Sequence, residues 1–145
     1  MAGITLQHAT TIVQAALRKG HETGCAPLAI AVLDAGGHLT AFAREDNAGI
    51  ARPQIAIAKA WGALGMGVGS RTLARRIADQ PQIAPFFAAI AAATDGSIVP
   101  VPGGVLVRDH GAIIGAVGIS GDTSDKDEAC AVAGIHAASL DADTG

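Results

Sequence analysis

Aromatic residues are scarce in this chain of 145 residues, which has three Phe, one Trp and no Tyr. Proteins that bind nucleic acids commonly stack bases on aromatic side chains and carry clustered basic residues. Here the formal net charge is −3, and the only basic cluster is formed by Arg71, Arg75 and Arg76, which fit one face of a short helix. We therefore expect no nucleic-acid partner.

Long uninterrupted apolar runs are also absent, although half of the residues are hydrophobic and the mean hydropathy is +0.38. A membrane-spanning helix needs about 20 consecutive apolar residues, whereas Gly, Asp, Arg or Pro interrupts each run here. Residues 1–10 lack the basic region and the apolar core of a secretory signal. These absences predict a cytoplasmic protein without a membrane partner.

Cysteine is limited to Cys25 and Cys130. Two cysteines suit reduced thiols in a cytosolic protein, and a disulfide between them is an alternative that the sequence does not support. The five His residues show no metal-ligand spacing such as H-x-x-x-H. The sequence therefore predicts no metal site.

Ala, Gly, Val and Ile supply the hydrophobic surplus instead. Small side chains permit close packing and flat surfaces, so we interpret the surplus as subunit interface and expect a homo-oligomer. The length fits one domain, residues 1–145, with a substantial core.

Hydrophobic periodicity and turn residues predict an α+β domain with the element order α-β-β-α-α-α-β-β-β-α. Hairpins dominate this order, so the five-stranded central sheet should be antiparallel, with helices packed on it. Residues 141–145 read as a frayed tail. The predicted helices are 5–21, 54–64, 70–78, 82–93 and 125–139, and the strands are 28–33, 38–44, 98–101, 105–107 and 113–119.

The junction between the last predicted strand and the last helix is the best candidate site. Amides at Ser120 and Gly121 precede a helix start, where free N–H groups attract anions. Acidic residues crowd the same place, and Ser124 or Asp125 is expected to cap the helix. Such acids also stabilise a helix start by themselves, which is the alternative. The acids in question are Asp122, Asp125, Asp127 and Glu128.

Further candidates lie in three other parts of the chain. Arg44 and Asp46 stand at the exit of the first hairpin, where the arginine suits a carboxylate ligand, although such a loop is often merely solvated. Lys59 interrupts an apolar helix and either extends to solvent or pairs with a carboxylate in a cleft. His21 can ligate a haem iron or simply cap the end of the first helix.

Three blocks of the sequence resemble the GlcG/HbpS family, the haem-degrading-domain family that includes the carboxy-terminal domain of PduO-type proteins. The blocks are VLDAGGHLTAFAREDNAG (32–49), IAIAKAWGALGMGVGSRTL (55–73) and PGGVLVRDHGAIIGAVGISGDTSDKDEACAVAG (102–134). The resemblance covers nearly the whole chain in order. It implies a profilin-like fold, assembly into dimers or rings up to octamers, and haem or a related tetrapyrrole as the cofactor. The chain departs from the family at Glu45, where relatives often have Met.

Two functions follow, and the sequence does not decide whether the protein is an enzyme. In the first, the protein binds haem at a subunit interface, with His21 as ligand and Arg44 or Arg52 pairing with a propionate. In the second, it is an isomerase, hydrolase or deaminase acting on a small unsaturated carboxylic acid in a catabolic pathway. There the same arginines would hold the carboxylate, Asp127 or Glu128 would be the general base, and Lys59 would stabilise an enolate.

Overall fold

A five-stranded antiparallel sheet with five α-helices forms the protein, and the computed structural model describes residues 3–145. The spatial order of the strands is β2-β1-β4-β3-β5. The predicted α+β class and the antiparallel five-stranded sheet are thus confirmed. In chain order the elements are α1 (Leu6–Glu22), β1 (Ala29–Asp34), β2 (Leu39–Arg44), α2 (Arg52–Met66), α3 (Ser70–Asp79), a short 3-10 helix (Pro81–Ile83), α4 (Ala84–Ala93), β3 (Gly104–Asp109), β4 (Ala112–Ser120), α5 (Ser124–Ala137) and β5 (Asp141–Asp143).

The identity of one strand differs from the prediction. Residues 98–101 form no strand, because prolines at 100 and 102 remove two of the backbone donors that a ladder needs. The fifth strand is β5, which was predicted to be a frayed tail. It pairs with β3, with Asp143 opposite Leu106, and the carboxylate of Asp143 accepts a hydrogen bond from Arg108 at 2.8 Å. Residues 3–145 therefore contain five strands, but the last one follows α5.

The two hairpins are confirmed in the structure. His110 and Gly111 connect β3 to β4, and both have positive φ, at 49° and 83°. Positive φ at both central residues is typical of the turn that joins antiparallel strands most tightly. In the first hairpin, Asp34 holds the turn by accepting hydrogen bonds from the backbone N–H groups of Gly36 and His38.

The sheet separates two apolar layers. On one face, α1 and α5 pack over the alternating β-branched residues of the central strands, with Ile12 and Ile135 among the buried side chains. On the other face, α2 covers mostly small residues, including Ala31 and Ala116. Leu73 of α3 and Phe87 of α4 complete this second layer.

The second layer is tight because α2 lies directly on two glycines. A Cβ at Gly118 would overlap the carbonyl oxygen of Ala56, and one at Gly104 would overlap that of Lys59. Both glycines belong to the central strands β4 and β3. The backbone of α2 therefore approaches the sheet closely enough to bring the side chains of its inner face to the end of β4.

Helix α4 is apolar yet mostly exposed. Its ten residues include no charged side chain, and only Phe87 is buried, while Phe86 is 51% exposed. None of the helices within residues 3–145 is long and apolar enough to cross a membrane.

Candidate functional site

Three strand ends meet beside α2 and create the candidate site. Ala29 at the start of β1 lies opposite Arg44 of β2 on one side and Ser120 of β4 on the other. Residues directly opposite in an antiparallel pair share a face of the sheet. Arg44 and Ser120, far apart in sequence, are thereby brought to the face that α2 covers.

A buried ion pair lies at the end of β4. The ammonium of Lys59 on α2 is 3.2 Å from Asp127 Oδ2 on α5 and donates a second hydrogen bond to the carbonyl oxygen of Ile119 at 2.9 Å. Lys59 is 2% exposed and Asp127 is fully buried. The pair therefore connects helices on opposite faces of the sheet. Of the two alternatives predicted for Lys59, extension to solvent and pairing with a carboxylate, the structure shows the pairing.

Burial works against both charges of this pair. Removal from water lowers the pKa of Lys59, and the nearby Asp127 carboxylate opposes that shift. Burial likewise raises the pKa of Asp127, while hydrogen bonds from the backbone at Asp122 and Gly121 and the charge of Lys59 oppose it. The charged forms thus depend on each other, since neither group has water to replace its partner.

The helix start at the junction is filled by the protein's own carboxylate. The backbone N–H of Asp122 donates to Asp127 Oδ1 at 2.9 Å. The predicted anion site at Ser120 and Gly121 therefore lies directly beside an N–H group that Asp127 already occupies. Thr123, not Ser124 or Asp125, caps α5, because its hydroxyl accepts the N–H of Lys126 at 3.3 Å.

The two candidate arginines occupy different parts of the site. Arg52, at the start of α2, is half-buried and donates to the hydroxyl of the buried Ser120 at 3.1 Å. Arg44 is exposed and donates to the carbonyl oxygen of Ala48 at 2.6 Å, which closes the loop after β2. Asp46 lies in that loop with its side chain exposed.

Glu128 is not paired with Lys59. Its two carboxylate oxygens accept hydrogen bonds from Arg71 Nε of α3 at 3.2 and 2.9 Å. Arg71 also binds Asp125, and these hydrogen bonds raise the pKa of the guanidinium. The adjacent candidates Asp127 and Glu128 thus lie in separate clusters.

His21 lies in the last turn of α1, on the other side of the sheet from α2. Its imidazole is 73% exposed, and Nε2 is 2.8 Å from Glu45 Oε2. The second oxygen of Glu45 accepts the backbone N–H of Leu28 at 2.8 Å, which fixes the carboxylate. Among residues 3–145 no hydrogen-bond partner is found for His21 Nδ1. A depression of about 330 Å³ adjoins His21 and is lined by α1 residues Gln14, Leu17, Arg18, His21 and Glu22.

No role at this site was predicted for Glu45, which the sequence marks only as a departure from the family pattern. The register of the first hairpin would have identified it. Ala29 lies opposite Arg44, so the preceding residue Leu28 lies beside Glu45. Within the described part of the chain, no three His, Cys, Asp or Glu side chains are grouped so that they could hold a metal ion.

Comparison with known proteins agrees with the family resemblance. The model of the family described as "Haem degrading protein HbpS-like" matches residues 4–136. An uncharacterised 15.0 kDa protein from the dhaT-dhaS intergenic region of Citrobacter freundii is 32% identical over 127 residues, which cover 88% of this chain and 86% of that protein.

Solved structures with the same fold extend over nearly the whole chain. The protein ORFY of Klebsiella pneumoniae is 26% identical, with a TM-score of 0.85 over 96% of this chain and 93% of its own. A double mutant of HbpS from Streptomyces reticuli is 27% identical, with a TM-score of 0.78 over 94% and 87%. PduOC in complex with heme, at 24% identity, has a TM-score of 0.85 over 96% and 97%, which shows the shared fold.

Proposed function

Because the chain belongs to the HbpS-like family of haem degrading proteins, we propose that it binds haem or a related tetrapyrrole in a cleft between subunits. The observation that carries the proposal is the exposed His21, whose ring is held by the Glu45 carboxylate while Nδ1 has no partner within residues 3–145. A carboxylate that accepts a hydrogen bond from one imidazole nitrogen orients the ring and increases the basicity of the other nitrogen. Imidazole of this kind is a common axial ligand of haem iron.

The surface around His21 supports a planar, carboxylated ligand. The depression of about 330 Å³ falls within the range of roughly 300–1,000 Å³ that is usual for ligand pockets. Leu17 offers an apolar contact, and Arg18 is exposed beside it and can pair with a propionate. Arg44 and Arg52, the propionate partners expected from the sequence, lie instead on the α2 face of the sheet.

Within residues 3–145 the same depression is lined by one helix only, so a bound macrocycle would leave one of its faces uncovered. A second copy of the chain would cover that face. Exposed apolar side chains elsewhere favour self-association as well: Leu39 and Phe42 on the edge strand β2 are 53% and 38% exposed, and α4 is apolar and exposed. We therefore include a homo-oligomer, from dimer to octamer, in the proposal.

A hemin titration of the purified protein tests this function. Absorbance is recorded from about 350 to 700 nm, and the expected result is a saturable, sharpened Soret band at one haem per subunit or per subunit pair. His21→Ala should abolish or shift the band, whereas His136→Ala should leave it unchanged. His136 is a matched control because it is also an exposed histidine in the last turn of a helix. A spectrum like that of free hemin would overturn the binding proposal.

A second function is favoured by the residues around Ser120. Arg52 is half-exposed there and would bind the carboxylate of a small unsaturated acid, with the Lys59–Asp127 pair behind it. Asp127 or Glu128 would act as general base in an isomerase, hydrolase or deaminase, after release from Lys59 or Arg71. Glu128→Gln should then reduce turnover of such acids while the circular dichroism spectrum stays unchanged, and full activity would remove Glu128 from this role.

A further inference from the structure

Two thiols from distant parts of the chain lie side by side. Cys25, in the turn after α1, and Cys130 of α5 are 105 positions apart in sequence, yet their Sγ atoms are 3.9 Å apart. Cys130 is 1% exposed and belongs to the core between the sheet and the α1–α5 layer, while Cys25 is half-buried at its border. One thiol of the pair is thus accessible and the other is enclosed.

We propose that Cys25 and Cys130 form a reversible intramolecular disulfide, with hydrogen peroxide as the oxidant and Cys25 as the thiol that reacts first. The proposal does not depend on haem binding. In a disulfide the sulfurs are about 2.05 Å apart, so they must approach each other by about 1.9 Å. Cys25 is the partner that moves, because it follows Gly24 in an exposed turn, whereas Cys130 is fixed inside a helix.

Hydrogen bonds assign different roles to the two sulfurs. The hydroxyl of Thr23 donates to the carbonyl oxygen of Lys19 at 2.8 Å, and its oxygen is 3.4 Å from Cys25 Sγ. A hydroxyl has one hydrogen, so the Cys25 thiol donates to Thr23 and its sulfur is free to accept from Cys130. The Cys130 thiol can therefore donate its hydrogen to the sulfur of Cys25. Burial raises the pKa of Cys130 itself, which keeps that thiol protonated and unreactive towards solutes.

The chemistry is a two-electron oxidation in two steps. The Cys25 thiolate attacks one oxygen of hydrogen peroxide, the O–O bond breaks, and the departing hydroxide takes a proton to become water. The Cys130 sulfur then attacks the sulfenic acid at Cys25, the S–O bond breaks, and the leaving hydroxide takes the Cys130 proton as the second water. Two thiols thus lose two hydrogens while one peroxide is reduced to two waters.

The test exposes the purified full-length protein to hydrogen peroxide and follows its mass, thiol content and melting temperature. We expect the mass to fall by two hydrogens per chain, both thiols to disappear together, and the chain to remain monomeric on a non-reducing denaturing gel. Closing a loop of this length should raise the melting temperature by about 5–15 °C. Dithiothreitol should reverse all of these changes.

Two variants test the assigned order. In Cys130→Ala, peroxide should produce a sulfenic acid at Cys25 that dimedone traps. In Cys25→Ala, Cys130 should stay reduced under the same treatment, because it is enclosed. Disulfide-linked dimers of the wild type, sulfinic acid at Cys25 of the wild type, or oxidation of Cys130 in Cys25→Ala as fast as in the wild type would each overturn the proposal.

Discussion

Removal of one partner from the Lys59–Asp127 pair should strongly destabilise the fold. Asp127→Asn keeps the size of the side chain and an oxygen that can accept the N–H of Asp122, but removes the charge that faces Lys59. Lys59→Met keeps an unbranched side chain and leaves Asp127 without its counter-ion. Both residues are essentially inaccessible to water, so no solvent can replace the missing partner.

The unfolding free energy should fall by about 3–5 kcal/mol in either single variant, the usual consequence of leaving an unpaired charge in a protein interior. Domains of this kind have unfolding free energies of roughly 5–15 kcal/mol, so the loss is a large part of the total. It corresponds to a fall of about 10 °C in the melting temperature. The double variant with both substitutions has no buried charge at this pair. It should be more stable than the sum of the single losses predicts, by about 2–3 kcal/mol.

Urea unfolding measures these free energies, with the fluorescence of Trp61 as one probe, because it is the only Trp and lies on the same helix as Lys59. Far-UV circular dichroism supplies the second probe. The matched control is Asp143→Asn, which breaks the ion pair with Arg108. In that pair the side chain of Arg108 is 31% exposed and that of Asp143 is 34% exposed. A partly exposed pair contributes about 1 kcal/mol or less.

Two results would refute this reasoning about the buried pair. One is a loss of about 1 kcal/mol or less in both single variants, similar to that of the control, since the charges would then be solvated in the folded protein. The other is strict additivity in the double variant, because the two side chains would then contribute independently of each other.

Two further predictions concern the tight packing of α2 and the buried thiol. Gly118→Ala should lower the unfolding free energy by about 1–3 kcal/mol, because the new methyl group collides with the backbone of Ala56. The control Gly49→Ala, where the new methyl group makes only ordinary contacts, should change it by about 0.5 kcal/mol or less. Equal effects of the two substitutions in urea unfolding would contradict the close approach of α2 to β4. Burial raises the pKa of Cys130 from 9.0 to about 12, so between these pH values the unfolded chain releases a proton that the folded protein retains, and stability should fall with rising pH. The plot of unfolding free energy against pH should fall more steeply than that of Cys130→Ala, by up to about 1.4 kcal/mol per pH unit. Parallel curves for the two proteins would show that the thiol ionises alike in the folded and unfolded states.

Local patterns were sufficient to predict most of the elements, because each buries a face that its own sequence defines. The hairpin around His110 and Gly111 and the apolar stripe of α1 are examples. Strand β5 was missed since Asp141–Asp143 has no strand-forming side chains. It is ordered by pairing with β3 and by the contact of Asp143 with Arg108, neither of which is visible within its three residues.

At the site, too, the sequence predicts which residues matter locally but not which distant residues they contact. The sequence predicted that Lys59 either reached solvent or found a carboxylate, but its partner lies 68 positions away, a distance that no periodicity encodes. The sequence offers Asp127 and Glu128, which are adjacent, as alternative general bases. On a helix, neighbours point in directions about 100° apart, so one faces Lys59 and the other faces Arg71.

The ion pair between α2 and α5 also constrains the order of folding. The sheet divides the interior into two cores, and each core could in principle form on its own with one set of helices. Docking α2 alone would leave the ammonium of Lys59 in apolar surroundings, and docking α5 alone would do the same to the carboxylate of Asp127. An intermediate with only one layer in place is therefore unfavourable. We therefore expect the two cores to form together in one cooperative transition.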